Sequence, residues 1–455
     1  MRRFLLRVTR AAAGRTAVGA GLAAALILGQ PVAAAPARET PQPRYEAPDH
    51  PLPASPAAVA AITGFQGSWL DRALQHQYEL AGDVGLRNAP FIGTHNSYNS
   101  VAEMGRTIST SDANQQLSID DQLDLDIRSL ELDLHWFRRP SSGELAPVVC
   151  HAFPNHLGCS TEKALDQVLD EVNAWLRVPA HSDQVLFLYL EDHLDNRTGY
   201  DTAASVIQEK LGDVLYPPSG GGCERLPLEL TRDRILRAGK QVIIVGNSQC
   251  GMGSAWPAKV FDWAPHLETR LRDFSDFPTC GLDFTRVQYD ATQIRYFEDG
   301  RPSQAGAARI TPDIAGQMTR CGVDLVGLDQ LVPGDPRLGA LVWSWAKGEP
   351  RKRGKCAVQR SKEGTLRTGW KAAGCGSHRR PACRRNDRWL VGAHTVAKKS
   401  ARAECRARDA RFAVPRTGYE AQLLREAMRR AGVGKARLGY VRRRGEWVAL
   451  DKRGP

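Results

Sequence analysis

The sequence predicts an α/β protein: a TIM-like, irregular (β/α)8 barrel followed by a C-terminal disulfide-rich basic module. Three observations carry this prediction. From Asn88 onward, short apolar runs alternate with helix-like segments, the pattern of buried parallel strands joined by crossover helices. The charge is divided: residues 346–455 hold 31 Lys/Arg against 9 Asp/Glu, a surplus of 22, whereas the rest of the chain holds 31 against 41. The ten cysteines are even in number and include no CxxC pair, which favours disulfides over zinc sites in an exported chain. With 455 residues, 42% hydrophobic and 25% charged, the chain can bury two or three cores, and this composition argues against a disordered, collagen-like or multi-span membrane protein.

Residues 1–35 read as a signal peptide, because Arg2, Arg3, Arg7 and Arg10 precede the apolar run 17–29 and the small residues Ala33, Ala34 and Ala35. Arg2-Arg3 fits a twin-arginine signal, and Sec export fits equally. The apolar run is short for a transmembrane helix, so the expected location is secreted, extracellular, with a retained anchor as the alternative. Residues 36–85 are expected to be a Pro-rich linker and N-terminal extension, extended through residue 57 by seven prolines from Pro36 to Pro56. The barrel is expected over 86–345 and the basic accessory module over 346–455.

Parallel strands are expected at 90–93, 129–134, 147–150, 185–190, 242–245 and 325–328. Ala164, Leu165, Val168, Leu169, Val172, Trp175 and Leu176 recur at helical spacing after possible caps Ser160 and Thr161, giving an amphipathic helix and a βαβ unit. The stretch 251–306 lacks clean alternation, hence the irregular barrel. Cys150 and Cys159 are close enough in sequence to bridge a short loop.

Barrel enzymes gather catalytic groups at the carboxyl ends of their strands. Here the first run ends in Thr94-His95-Asn96-Ser97-Tyr98, the second carries Glu131 and Asp133, the third ends in His151 and the fourth in Glu191-Asp192-His193. Glu131 and Asp133 are two apart in a strand and share a face, which His135 continues. Two carboxylates there resist joint ionisation unless a cation lies between them. Asn96 and Glu191 complete an oxygen-rich set that suits a hard divalent ion, calcium (Ca2+) best. His95 and His151 suit a base and an acid in phosphoryl transfer at neutral pH.

These residues resemble the phosphatidylinositol-specific phospholipase C X-type catalytic domain, in its calcium-dependent, secreted actinobacterial form. The likeness runs through Gly93-Thr94-His95-Asn96-Ser97-Tyr98, Gln122-Leu123-Asp124, Glu131-Leu132-Asp133, Val149-Cys150-His151 and Leu190-Glu191-Asp192-His193. It implies catalytic histidines at His95 and His151 and calcium ligands at Asn96, Glu131, Asp133 and Glu191. Asn rather than Asp after the first histidine marks the calcium-dependent members. The implied reaction is attack by the inositol 2-hydroxyl on phosphorus with help from His95, while His151 protonates the departing diacylglycerol oxygen; Glu131 is the alternative base. Gly327-Leu328-Asp329-Gln330 is similar to the family's last strand. Asp329 and Asn247, at strand ends, are further candidates for contact with substrate.

Pieces of the tail resemble a C-type lectin-like domain in permuted order: Trp343-Ser344-Trp345-Ala346, Gly348-Glu349-Pro350, Gly369-Trp370, Trp389, Phe412, Glu420 and Trp447. That resemblance implies Cys356–Cys375 and Cys383–Cys405 disulfides. Arg351 stands where the lectins' calcium motif has Asn after Glu-Pro, which argues against sugar binding through calcium. The basic surplus would draw the protein to anionic lipid or a cell-wall polymer. The expected substrate is a phospholipid at a membrane surface, with no nucleic acid as partner and the chain a monomer. Rival readings are a glycerophosphodiesterase or sphingomyelinase D-like phosphodiesterase, which His95-Asn96-Ser97-Tyr98 disfavours, and an inactive barrel serving as a surface-binding protein.

Overall fold

The structure, a computed structural model, describes residues 53–451 except 89, 105–112, 140–141, 152–158, 160–162, 221–222, 247–251, 263–266, 269–270, 272–273, 281–294, 301–307 and 362–368. The signal-peptide segment, residues 36–52, Ser160, Thr161 and Asn247 therefore lie outside the described residues.

The first sheet contains β1 (Phe91–Thr94), β2 (Ser129–Arg138), β3 (Leu145–Val149), β4 (Leu186–His193), β5 (Val242–Gly246), β6 (Phe261–Asp262), β7 (Leu267–Glu268), β8 (Arg295–Glu298) and β9 (Leu325–Leu328). Eight of the nine run parallel in the order β6-β5-β4-β2-β1-β9-β8-β7. This is the curled sheet of a TIM-like barrel, with no pairing between β6 and β7 among the described residues. Side chains alternate as a two-residue period demands. Leu130, Leu132 and Leu134 of β2 pack outward in one core with Leu165, Val168 and Val172 of a crossover helix. Glu131 and Asp133 lie in register with Tyr189 and Glu191 of β4.

The run ending at Val149 is not a parallel strand. It is β3, antiparallel to the outer half of β2, with Leu134 opposite Val149 and Arg138 opposite Leu145. β2 is ten residues long and overshoots its parallel neighbours, and the six residues to β3 suffice for a hairpin but not for a parallel crossover. The hairpin turns the chain back toward the barrel, so Cys150 and His151 arrive at the mouth from outside it. The Cys150–Cys159 disulfide closes the following loop.

The helices of this half are α1 (Pro56–Phe65), α2 (Trp69–Leu80), α3 (Val101–Met104), α4 (Ile119–Leu123), α5 (Leu165–Leu176), α6 (Arg197–Leu211), α7 (Arg232–Arg237), α8 (Pro312–Cys321) and α9 (Pro336–Ala340). α1 begins inside the segment that its prolines predict to be extended: Ser55 caps it and Pro56 takes the first helical position, where a missing N–H costs nothing. α5 confirms the predicted periodicity but is capped at Ala164, whose N–H donates to Gln167 Oε1 at 3.0 Å.

The tail forms a second sheet from β10 (Cys356–Arg360), β11 (Lys371–Ala373), β12 (Arg380–Arg385), β13 (Arg388–Val391), β14 (Arg411–Phe412), β15 (Lys435–Arg443) and β16 (Glu446–Ala449), with α10 (Ala401–Arg406) and α11 (Gly418–Arg430). Its strand order is β11-β10-β15-β12-β13, with β14 on β12 and β16 on β15. The disulfides are Cys356–Cys375 and Cys383–Cys405, as the lectin-like resemblance implies. Trp343, Trp345, Trp370, Trp389 and Trp447 are all buried in its core.

No linker separates the two sheets. Ala73 and Leu80 of α2 belong to the tail's core. Gln77 donates to Leu341 O at 3.1 Å and accepts from Trp343 N at 3.2 Å. The Tyr78 hydroxyl meets the backbone of Val185, just before β4, so α2 crosses the base of the barrel. Arg416, buried, donates to Leu80 O at 3.2 Å and pairs with Asp451 at 3.0 Å. Arg416→Ala strands Asp451 without its cation and should cost about 3 kcal/mol. Urea unfolding that shifts by less than about 1 kcal/mol would show that this weld is not structural.

Candidate active site

β1 ends in a turn rather than a helix, and Asn96 takes the left-handed region there (φ 44°), which an Asn tolerates. Gln122 of α4 holds this turn. Its Oε1 accepts from Thr94 Oγ1 at 2.7 Å, and its Nε2 donates to Ser97 O and Leu117 O at 2.9 Å each. Ser97 Oγ in turn accepts the Glu131 N–H at 3.0 Å, locking the turn to β2. The motif residues Thr94, Ser97 and Gln122 thus build the frame that presents His95 and Asn96.

Glu131 and Asp133 on β2 and Glu191 on β4 converge, with one carboxylate oxygen from each within 4.8 Å of the others. Burial, with the Asp133 carboxylate beside it, pushes Glu131 up to about 8 against the opposing pull of His95, and burial with Glu191 holds Asp133 well above the carboxylate range. Glu191 is half-exposed and is held low by the His193 imidazole beside it. Glu131 Oε2 accepts from Tyr296 Oη at 2.7 Å and from the Asn96 N–H at 3.3 Å. Gly327 in β9 leaves room for that tyrosine, since a Cβ there would stand 2.8 Å from Tyr296 Oη.

The Asn96 amide faces Asp133. With Nδ2 toward the carboxylate it donates at 2.9 and 3.1 Å, and its Oδ1 accepts from His95 Nε2 at 3.0 Å. Turned over, its oxygen joins those of the carboxylates. This cluster of mutually repelling oxygen donors, with an amide able to present a further one, fits a hard divalent cation.

His95 is buried between two carboxylates. Its Nδ1 lies 3.0 Å from Asp329 Oδ1 and its Nε2 lies 3.8 Å from Glu298 Oε2. Burial opposes the imidazolium, but Glu298, Asp329 and Glu131 outweigh it and raise His95 well above its usual value. Asp329, expected to meet substrate, instead serves the histidine. It is also held by Asn114 Nδ2 at 3.0 Å and Arg309 at 3.2 Å, while its backbone is fixed by Asp299 at 2.8 Å and Arg337 at 2.7 Å.

His151 joins the site through Asn99, whose Nδ2 lies 3.5 Å from His151 Nδ1 and 2.5 Å from Asn114 Oδ1. Asn114 Nδ2 reaches His95 Nδ1 at 3.3 Å, so two amides span the distance between the histidines. The structure therefore gathers His95, Asn96, Glu131, Asp133, His151, Glu191 and Asp329 at one mouth. Sequence reasoning missed Asn99, Asn114, Tyr296, Glu298 and Asp299. The end of β8, Tyr296-Phe297-Glu298-Asp299, repeats the apolar-then-acidic ending of β4, but over four residues it is too short to stand out.

A parallel α/β barrel with two histidines and a carboxylate cluster at the strand ends defines a phospholipase C-like phosphodiesterase. More particularly, the chain belongs to the Rv2075c PI-PLC-like domain family, whose model matches residues 51–335. It is 38% identical over 390 residues, 79% of this chain and 78% of the relative, to the uncharacterized protein Rv2075c of Mycobacterium tuberculosis strain H37Rv. Among solved structures, S. officinalis PLC21 is 14% identical with a TM-score of 0.37; the match covers 66% of this chain but only 43% of that one. A calcium-dependent phosphoinositol-specific phospholipase C from a Pseudomonas species is 15% identical, with a TM-score of 0.32, over 54% of this chain and 91% of that one.

Asn114→Ala removes the amide that holds Asp329 toward His95. Turnover of a soluble phosphodiester should fall about 10- to 100-fold with KM little changed. A rise in KM with unchanged kcat would place Asn114 in substrate binding instead.

Proposed function

We propose that this protein is a secreted, calcium-dependent phospholipase C that cleaves the glycerol-side phosphodiester of inositol phospholipids through a cyclic inositol phosphate. The observation that carries the reading is the placement of the Asp329–His95 pair and His151 around one carboxylate cluster. An internal displacement at phosphorus needs a base on one side of the phosphate and an acid on the other.

In this reading His95, oriented by Asp329 on Nδ1 and neutral once a bound cation offsets the carboxylates that favour its imidazolium, takes the proton of the attacking inositol 2-hydroxyl at Nε2. His151, at the end of the β2–β3 hairpin, gives a proton to the departing glycerol oxygen. Glu131, Asp133, Glu191 and Asn96 Oδ1 would hold calcium. When bound, calcium supplies charge neutralisation for the phosphoryl oxygens and lowers the pKa of the attacking hydroxyl. Tyr296 keeps Glu131 oriented toward that cluster. Export through the signal peptide brings the protein to its lipid surface, and the basic module adds attraction to anionic surfaces.

His95→Ala or His151→Ala should lower turnover by at least about 100-fold with the native circular dichroism spectrum retained. Retention of more than a tenth of the rate removes that residue from proton transfer.

Phosphorus NMR on phosphatidylinositol should show a cyclic inositol phosphate signal that disappears with excess chelator and returns with calcium. Phosphate retained on the lipid would mark a phospholipase D-type reaction, and turnover that survives chelation would remove the metal from the reading.

A further inference from the structure

The tail's positive charge is not evenly spread. β12 and β13 form a hairpin whose turn residue Asn386 adopts φ 50°, and pairing places Arg385 opposite Arg388. β14 pairs on the other side of β12 and sets Arg411 opposite Arg384. Arg406 closes α10, which the Cys383–Cys405 disulfide ties to β12. Arg384, Arg385, Arg406 and Arg411 thus line one concavity of about 450 Å³.

Arg384 is committed to the wall: it pairs with Glu420 at 2.5 Å and with Asp387 at 3.5 Å, and its Nε donates to Asn386 O. Arg385, Arg406 and Arg411 are exposed and form no salt bridge among the described residues, although Arg411 lies within electrostatic reach of the buried Asp451. The two aspartates of the lining do little to neutralise them. Asp387 is 98% exposed at the hairpin tip and Asp409 is exposed on the turn after α10. Guanidinium groups gathered in excess over carboxylates repel, and an anion that bridges them relieves the repulsion. Planar guanidinium forks match phosphate oxygens in pairs. The cationic surface continues from the concavity through the exposed Arg388 and Arg408.

We propose that this concavity is a binding site for a phosphate-bearing anionic polymer, gripped by Arg385, Arg406 and Arg411. A bilayer fits less well. The five tryptophans of the core beneath the module are all buried, and Val448 is the module's one exposed large hydrophobic side chain among the described residues, so it offers little to insert into lipid. The site also lies toward the base of the barrel. Arg384 bonds Glu420 in the first turn of α11, and Gly418 of that turn packs on Thr319 near the end of α8, away from the mouth. Single-stranded nucleic acid would call for exposed aromatic platforms, which the buried tryptophans do not supply.

The inference adds to the lipase reading an anchoring site that its chemistry does not require. The test uses the full mature chain and inorganic polyphosphate as the probe, followed by fluorescence anisotropy at several salt concentrations. Changing Arg385, Arg406 and Arg411 together to Ala should weaken binding at least about 10-fold and lower the log–log salt slope by about 2 to 3. Changing Arg351, Lys352 and Arg353 to Ala removes the same charge elsewhere on the module and should alter binding less than about 3-fold. Equal losses from the two triple variants would reduce the site to a diffuse field and overturn the proposal, as would absent binding by the native chain. Preference for phosphatidylglycerol vesicles over polyphosphate, abolished by the first triple variant, would overturn it in favour of a membrane. Hydrolysis of a soluble substrate should be unchanged in both variants, so loss of polymer binding and loss of the phosphodiesterase reading are separate outcomes.

Discussion

The mutual repulsion of Glu131, Asp133 and Glu191 is the constraint around which the barrel's mouth is organised. Two of these carboxylates are buried and pushed up together. A fold spends stability to hold such a cluster and keeps it where a cation or a substrate uses it. The hydrogen bonds around it are arranged accordingly. Tyr296 and the Asn96 N–H meet Glu131, the Asn96 amide meets Asp133, and His193 meets Glu191. His95 stands at the edge of the same negative field, which is why its imidazolium is favoured despite burial.

From that cluster outward, support for the site passes through backbone as much as through side chains. Arg337 of α9 bonds Asp299 at 2.8 Å, and Asp299 accepts the Asp329 N–H, so a helix behind the last strand aims the carboxylate that orients His95. On the opposite side the hairpin β2–β3 and the Cys150–Cys159 disulfide deliver His151. The base of the barrel is closed by α2, which shares its apolar face with the tail's tryptophan core. The mouth with its candidate site and the welded base are therefore built at opposite ends of the same strands, and a change at the weld can alter stability without touching the site.

The basic tail changes character once folded. Its tryptophans, scattered in sequence, stack on one another, with Trp345 and Trp447 ring centres 4.6 Å apart, and form a core rather than a lipid-seeking surface. Arginine is the commonest residue that faces water, and strand pairing rather than sequence proximity decides which arginines meet. Arg384 and Arg411 are 27 positions apart yet sit opposite each other.

Much of this was readable from local pattern. A period of two places Glu131 and Asp133 on one strand face, continuous apolar runs mark β4 and β5 as doubly buried, and the helical period marks α5. The strand-end rule then brings His95, Asn96, Glu191 and Asp329 to one mouth, because parallel strands share a direction. Those features depend on residues near one another in the chain, so the sequence by itself determines them. The direction of β3, the role of Asp329 as partner of His95, and the Asn99–Asn114 bridge depend on which strand or loop arrives beside which. Residues 95 and 329 meet only because β1 and β9 are neighbours, 234 positions apart. Tertiary structure alone decided these, since hydrogen bonds between distant segments leave no periodic trace in either segment.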